Sequence, residues 1–385
     1  MQFHNLKHIS IYAVMLFWLL SSSVSFAADP HVSADAAIVM DVTTGEILFE
    51  KNARRQMPPA STTKILTAIV ALENGNPLDI VTISKHAAYT EGSSVHLTPG
   101  EKLTLDDLLV GLLLRSGNDS AVAIAEHIAG SEQKFAELCN TRAKELGAQN
   151  TIFRNPHGLS MPGHYTTAYD LALLARHALT NLPRFADIVS TREDTIEWDG
   201  RSYDRQLRNT NKLLWMFEGA DGVKTGTTKQ AGQCLVSSAT RNDQQLVAVV
   251  LHSGGRWNDS IQLLQYGFNN FKLLKFADKN SLYQRLTVIK GMQGYIDAVI
   301  ADEVSVIVPN TIADSIRIEY DLASSIEAPV YHGQKVGEII IYHQNRIIRV
   351  VDIVAGQEVM DRTLVRLIIN QLLITYQKLA GWGCF

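Results

Sequence analysis

Three short groups of residues carry side chains able to do chemistry. Ser61-Thr62-Thr63-Lys64 sets a hydroxyl and an amine three residues apart, a spacing that shares one face of a helix. A serine is a weak nucleophile until a base takes its proton, and a lysine can be that base when its pKa is lowered. The spacing alone is not specific. Ser131-Glu132-Gln133-Lys134 repeats it, and there a helix N-cap accounts for the serine; Ser61, behind Pro58 and Pro59, also reads as an N-cap. Ser116-Gly117-Asn118 puts a hydroxyl and a carboxamide at a glycine-assisted junction of two predicted helices, which ordinary turn chemistry also explains. Lys224-Thr225-Gly226 falls on a predicted strand, where a charge and a glycine either manage a sheet edge or let a ligand lie against the backbone.

The elements that must position these groups follow from periodicity. Apolar stretches 36–40 and 46–49 flank Thr43-Thr44-Gly45, a hairpin pattern. Met57-Pro58-Pro59-Ala60 leads into an apolar helix expected from about Ser61. Thr104, with Asp106 and Asp107, opens a helix to Arg115. Residues 118–128 give another, stopped by Gly130, and 131–146 a third, stopped by Gly147. Thr167-Ala168-Tyr169-Asp170 caps a helix over 171–179. From Gly222 the period changes to strands at 223–228, 234–239 and 245–252, with a turn at 241–243. A helix over 259–271 follows. Strand hairpin, helical block, then antiparallel strands make an α+β arrangement. Beyond it, Ile316, Ile318, Tyr320 and Leu322 alternate with charged residues, and 338–342 and 346–351 form a hairpin pattern, so 272–361 reads as a small all-β domain.

Composition narrows the class. With 385 residues, two or three domains are expected. Hydrophobic residues at 46% against 19% charged exclude a disordered chain. Lys and Arg total 35 against 39 Asp and Glu, a net charge of -4, which gives no reason to expect a nucleic-acid surface. Three cysteines are too few for a disulfide scaffold, and pairing of Cys139 with Cys234 stays open. A mean hydropathy of +0.00 argues against a polytopic membrane protein but hides two apolar ends. Residues 1–27 have the pattern of a secretory signal: Lys7, an apolar run over 9–20, and Ser25-Phe26-Ala27 before the expected cut. In 362–385, Leu364, Val365, Ile368, Ile369, Leu372, Tyr376 and Leu379 share one helical face. Arg366, Asn370, Gln377 and Lys378 lie on the other. Such a helix suits a membrane interface, with Trp382 at headgroup depth, or packing on the protein's own core. Cys384 stands too close to the end for a prenylation box.

Taken together, the three groups are far more specific than any one. S-x-x-K, an S-x-N element and K-T-G in that order, on helix, helical turn and strand, are the combination found in penicillin-binding proteins and class A β-lactamases. The chain resembles low-molecular-weight penicillin-binding proteins, the serine-type D-alanyl-D-alanine carboxypeptidases of the S11 kind. The resemblance rests on residues 59–64, 116–118, Asn155-Pro156-His157-Gly158-Leu159, residues 209–214, Asp221-Gly222-Val223-Lys224-Thr225-Gly226 and Gly254-Gly255-Arg256. Gly117 stands where β-lactamases have Asp. The resemblance implies a β-lactamase/transpeptidase-like catalytic domain at 28–271, the β domain at 272–361 and a membrane-anchoring amphipathic helix at 362–385. It implies that Ser61 attacks the carbonyl between two D-alanines, that Lys64 takes its proton, and that Ser116 relays a proton to the departing amine. Asn118 would bond the substrate amide, and the N–H groups of Ser61 and Thr227 would form the oxyanion hole. Lys224, Thr225 and Arg256 would hold the terminal carboxylate, with Gly226 in the same substrate-binding strand. Neither metal nor cofactor is implied. The expected partners are peptidoglycan pentapeptides ending in D-Ala-D-Ala, β-lactams as covalent inhibitors, and a membrane surface on the extracytoplasmic, or periplasmic, side.

Other readings use overlapping residues. A serine–histidine triad would recruit His157 or His252, but neither accompanies a G-x-S-x-G elbow. A structural role in its loop suits His157 better. No H-E-x-x-H or paired-cysteine spacing suggests zinc. A class A β-lactamase needs a glutamate to activate water, and residues 155–167 contain no Glu or Asp. A D,D-endopeptidase would use the same nucleophile. A non-catalytic cell-wall-binding scaffold would have no need of Ser61, Lys64, Ser116 and Lys224 together.

Overall fold

A computed structural model of the chain describes residues 29–198, 201–366, 368, 371, 372, 375 and 376. The expected secretory signal 1–27, Trp382 and Cys384 lie outside the described residues. Strands β1 (Ala36–Asp41) and β2 (Ile47–Lys51) form the expected hairpin. Every residue of β1 is buried. Ile38 and Met40 enter the core shared with the helices, while Ala37 and Val39 pack on the opposite side of the sheet. A strand covered on both faces reads as a continuous apolar run, and Ala36-Ala37-Ile38-Val39-Met40 is one.

The helical block begins with a 3-10 turn, Ala60–Thr63, that runs directly into the helix Lys64–Asn74. Ile65, Leu66, Ala68, Ile69, Val70 and Ala71 of that helix are all buried. A helix apolar all round belongs at the centre of a core, and each large side chain there stabilises the fold by about 1.5–3 kcal/mol. Short strands β3 (Ile80–Thr82) and β4 (Lys102–Thr104) pair beside it. The helix Leu105–Leu114 starts with a capping box between Thr104 and Asp107. Asn118–Ala129 ends at Gly130 in the left-handed conformation (φ 76°), where glycine carries no steric penalty. Glu132–Glu145 is capped by Ser131 and Ala168–Asn181 by Thr167. The helix Pro183–Ser190 and the hairpin of β5 (Glu193–Ile196) with β6 (Arg205–Arg208) add to the expected elements. The helix opens on its proline and buries Phe185, Ile188 and Val189 on one face. The ion pair of Arg205 and Glu101, at 2.6 Å and almost fully buried, ties β6 to the segment leading into β4.

Strands β7 (Ala220–Thr228), β8 (Gly232–Arg241) and β9 (Gln244–Ser253) complete a five-stranded antiparallel sheet of order β2-β1-β9-β8-β7. Asn242 and Asp243 both take positive φ in the two-residue turn between β8 and β9, the geometry that matches strand twist. The helix Arg256–Asn270 starts three residues earlier than expected, after Gly254-Gly255, and covers the face away from the helical block. There Leu263 and Leu264 meet Val39, Leu235 and Val250.

The remaining strands are β10 (Phe271–Ala277), β11 (Leu282–Ile289), β12 (Tyr295–Ile300), β13 (Val304–Pro309), β14 (Ile316–Leu322), β15 (Ser325–Glu327), β16 (Lys335–His343) and β17 (Arg346–Ala355). Six form a sheet of order β14-β16-β17-β12-β11-β15, and β10 pairs with β13. This part has its own core of Leu286, Ile296, Ile339, Ile341 and Ile353 among others. The whole is α+β: helices on an antiparallel sheet, then an all-β domain. Cys139 and Cys234 are both buried free thiols. Among the described residues no helix is long and apolar enough to cross a membrane.

Candidate active site

Ser61 sits in the 3-10 turn, after Ala60 in a left-handed backbone conformation (φ 49°). Two neighbouring hydroxyls hold the turn: Thr62 Oγ1 donates to the Pro59 carbonyl at 2.7 Å and Thr63 Oγ1 to the Ala60 carbonyl at 2.8 Å. Ser61 caps nothing. Its Oγ lies 3.2 Å from Nζ of Lys64, whereas Ser131, with the same spacing to a lysine, accepts from the Lys134 N–H as a cap. Tertiary context separates two identical sequence spacings into a pair facing a site and a helix cap.

Lys64 is fully buried. Besides Ser61, its Nζ donates to Oδ1 of Asn118 at 2.7 Å and to the carbonyl of His157 at 2.8 Å. Three acceptors around an amine at the start of a central helix fix its direction. Burial, and then the charge of Lys224, hold its pKa well below the ordinary lysine range. Such an amine is neutral often enough to accept a proton.

Asn118 comes from the first turn of its helix. Its N–H donates to the Ser93 carbonyl at 2.7 Å and its Nδ2 to the Glu91 carbonyl at 2.6 Å. Ser116, two residues before, is also in the left-handed region (φ 62°). Its Oγ is buried without a hydrogen-bond partner among the described residues. Strained backbone and an unpaired buried hydroxyl mark sites where geometry serves something other than stability.

On the opposite wall, β7 forms the edge of the main sheet. Lys224 is buried, and burial together with Arg256 lowers its pKa to about 7. Gly226 lets β7 lie close to the Ser61 turn: a Cβ there would stand 3.0 Å from the Pro59 carbonyl oxygen and 3.1 Å from the Ser61 nitrogen. The close approach brings the backbone at 226–227 beside that of Ser61. Arg256 donates from Nη1 to Oγ1 of Thr227 at 2.8 Å and to the Gly226 carbonyl at 3.0 Å. Ser61, Lys64 and Asn118 are thus in direct mutual contact through Lys64, and Lys224, Thr225, Gly226, Thr227 and Arg256 form the facing edge.

Supporting residues lie around these groups, some in segments that carry the resemblance, as at 155–159 and 209–214, and some, as Asp119 and His164, in none of them. Thr210 Oγ1 lies 2.8 Å from Oγ1 of Thr225, and Asn211 Nδ2 donates to the Gly222 carbonyl at 2.7 Å, so the 209–214 segment braces β7. Buried Asp119 accepts from Ser94 Oγ and from the Val95 and Leu97 N–H groups. His157 does not face Ser61 as a base. Its Nδ1 accepts from the Leu159 N–H, which leaves the proton on Nε2, 3.4 Å from Glu132. The ring clamps its loop, and the backbone carbonyl of the same residue serves Lys64. His164 Nδ1 accepts from the Arg154 N–H, so Nε2–H points to Thr63 Oγ1 at 3.0 Å. Burial lowers His164 to about 3 and keeps that imidazole neutral. His252 lies by Asp35 at 3.1 Å, exposed. No group of three His, Cys, Asp or Glu able to hold a metal exists among the described residues.

Comparison with known proteins agrees with this geometry. Residues 23–254 match the family model described as D-alanyl-D-alanine carboxypeptidase, and residues 271–361 the one described as Penicillin-binding protein 5, C-terminal domain. The chain is 35% identical over 346 residues to the D-alanyl-D-alanine carboxypeptidase DacC of Escherichia coli (strain K12), covering 84% of each chain. It is 33% identical over 326 residues to DacF of Bacillus subtilis (strain 168), covering 82% of this chain and 83% of that one. Among solved structures, penicillin binding protein 5 from Haemophilus influenzae superposes with a TM-score of 0.74 at 30% identity, covering 87% of this chain and all of that one.

Proposed function

Because the chain belongs to the D-alanyl-D-alanine carboxypeptidase family of low-molecular-weight penicillin-binding proteins, a family of serine-type hydrolases, we propose that it removes the terminal D-alanine of peptidoglycan pentapeptides through an acyl-enzyme on Ser61. Neutral Lys64 takes the proton of Ser61 Oγ, which attacks the carbonyl carbon of the penultimate D-alanine. The oxyanion that forms is met by the N–H groups of Ser61 and Thr227, an arrangement often worth several kcal/mol of barrier. The amide C–N bond breaks as Ser116 passes a proton to the departing amine. Water then attacks the ester and frees the shortened peptide and Ser61. Asn118 orients the substrate amide, and Lys224, Thr225 and Arg256 bind the terminal carboxylate.

The observation that carries this reading is Lys64: buried, directed by three acceptors, lowered in pKa and 3.2 Å from the serine oxygen. A β-lactam presents the same kind of carbonyl, so covalent capture of penicillin by Ser61 belongs to the proposal. The apolar leader 1–27 and the tail 362–385 support an extracytoplasmic enzyme, released after Ala27 and held peripherally on the membrane.

The test offers the purified protein a pentapeptide ending in D-Ala-D-Ala and measures free D-alanine, beside labelling with a fluorescent penicillin. D-alanine release and stable labelling are expected, both lost in Ser61→Ala. Rapid penicillin hydrolysis without D-alanine release would instead identify a β-lactamase.

A further inference from the structure

Beside the proposed site lies a second, open cleft of about 590 Å³, whose walls include Arg115, Arg208, Thr210, Lys212, Trp215 and Met216. Two contacts join it to the catalytic machinery. Thr210 Oγ1 is 2.8 Å from Oγ1 of Thr225, and the Thr210 N–H donates to the Leu114 carbonyl at 3.0 Å, next to Arg115 and Ser116. The cleft therefore adjoins Thr225 and Ser116, the residues to which the proposed function gives the terminal carboxylate and the departing amine.

Among the described residues its lining has three cations and no acid. Arg115 and Lys212 are exposed and have no ion-pair partner among the described residues. Arg208 shares its guanidinium with Glu193 at 3.4 Å, both well exposed, and lies 4.9 Å over the ring of Trp215. Trp215 itself is 38% exposed, a large apolar plane beside the guanidinium. Uncompensated cations around a concave surface concentrate anions and favour anionic partners. The space is that of a small-molecule site, far more than the methyl side chain of a departing D-alanine requires.

We propose that this cleft is a leaving-group subsite selecting a side-chain carboxylate, so that the enzyme also cleaves D-alanyl bonds to an acidic D-residue. The inference rests on the acyl-enzyme reading above, which places the terminal carboxylate at Lys224 and Thr225. The bond made and the bond broken are the same: Ser61 Oγ joins the D-alanyl carbonyl carbon, the C–N bond opens, and the acidic D-residue leaves as its protonated amine. Its side-chain carboxylate passes Thr225 and meets Arg115 and Lys212.

Three N-acyl peptides that end in D-Ala-D-Ala, D-Ala-D-Glu and D-Ala-D-Gln test this, with kcat/KM measured for release of the last residue. D-Glu and D-Gln match in size, so their ratio isolates charge. The D-Glu peptide is expected to exceed the D-Gln peptide by roughly five- to tenfold, the scale of two partly exposed charge contacts. High salt should shrink that ratio. The double variant Arg115→Gln/Lys212→Gln should bring it near one while D-Ala-D-Ala cleavage and penicillin labelling stay at the parent level, which also shows that the variant is folded. Equal D-Glu and D-Gln rates, or a ratio unchanged in the double variant, would overturn the subsite and leave the carboxypeptidase reading intact. Failure to release D-alanine from D-Ala-D-Ala would overturn both.

Discussion

The Nζ of Lys64 is closer to Oδ1 of Asn118, at 2.7 Å, than to Oγ of Ser61, at 3.2 Å. The amine is held from the helix that begins at Asn118, with the serine at the end of its reach. Asn118 is a neutral acceptor there. It directs the lysine without adding the negative charge that would keep it protonated.

Exchanging that acceptor gives a signed prediction. Asn118→Asp sets a carboxylate beside the amine, which favours the ammonium and raises the Lys64 pKa. The acid limb of the acylation pH profile should move to higher pH, with activity recovered on the alkaline side. Asn118→Leu removes the acceptor and should slow acylation by about 10²-fold, in the range expected when a general base is misdirected. An unshifted acid limb in Asn118→Asp would separate Asn118 from the control of Lys64.

Lys224 sets the other side of the profile. The Lys224 ammonium, to which the proposed function gives the terminal carboxylate, dominates below its pKa of about 7 and is lost above it. KM for a peptide with a free C-terminal carboxylate should therefore rise as pH passes from about 6 to about 8. The same peptide amidated at its C-terminus should show no such rise. Parallel KM profiles for the two peptides would show that Lys224 does not bind the carboxylate.

Two glycines should differ in what they protect. Gly158 has φ +89°, and a Cβ there would collide with the Ala60 carbonyl group. Gly158→Ala should cost about 3 kcal/mol or more of stability, since neither backbone can yield cheaply. Gly226→Ala meets its neighbours at 3.0–3.1 Å and should cost only about 1–3 kcal/mol. It should nevertheless slow acylation, because β7 is pushed off the Ser61 turn. Denaturation midpoints and penicillin-labelling rates measure the two effects. Equal loss of stability in both variants would contradict the distinction.

Leu364, Val365, Ile368, Leu372 and Tyr376 are all exposed. A chain lacking 362–385 and its leader should stay soluble when mixed with anionic lipid vesicles, while the chain with its tail cosediments. Catalysis should be the same in both. Cosedimentation of the truncated chain would place the membrane contact elsewhere.

Much of this architecture is legible in the chain itself, because local physics writes it there. Thr104, Ser131 and Thr167 cap the helices they precede, and Gly130 ends one, since caps act within a single turn. The unbroken apolar run of β1 and the change of period after Gly222 mark strands through burial alone. The β5–β6 hairpin escapes such reading because four-residue strands hold too little period, whereas the proline and the Phe185, Ile188 and Val189 face of the helix Pro183–Ser190 were there to be read.

The chemistry divides along the same line. Order and type of Ser61, Lys64, Ser116, Asn118 and Lys224-Thr225-Gly226 are properties of the sequence, and with them the family and the class of reaction. Sequence spacing could not distinguish Ser61 and Lys64 from Ser131 and Lys134. That was decided by burial of Lys64 at the head of a central helix and exposure of Lys134 beside a helix cap. The carbonyl of His157, the bracing hydroxyl of Thr210 and the cations around the neighbouring cleft belong to segments far apart in the chain. Long-range packing alone brings them together, and a backbone carbonyl leaves no mark in a side-chain pattern.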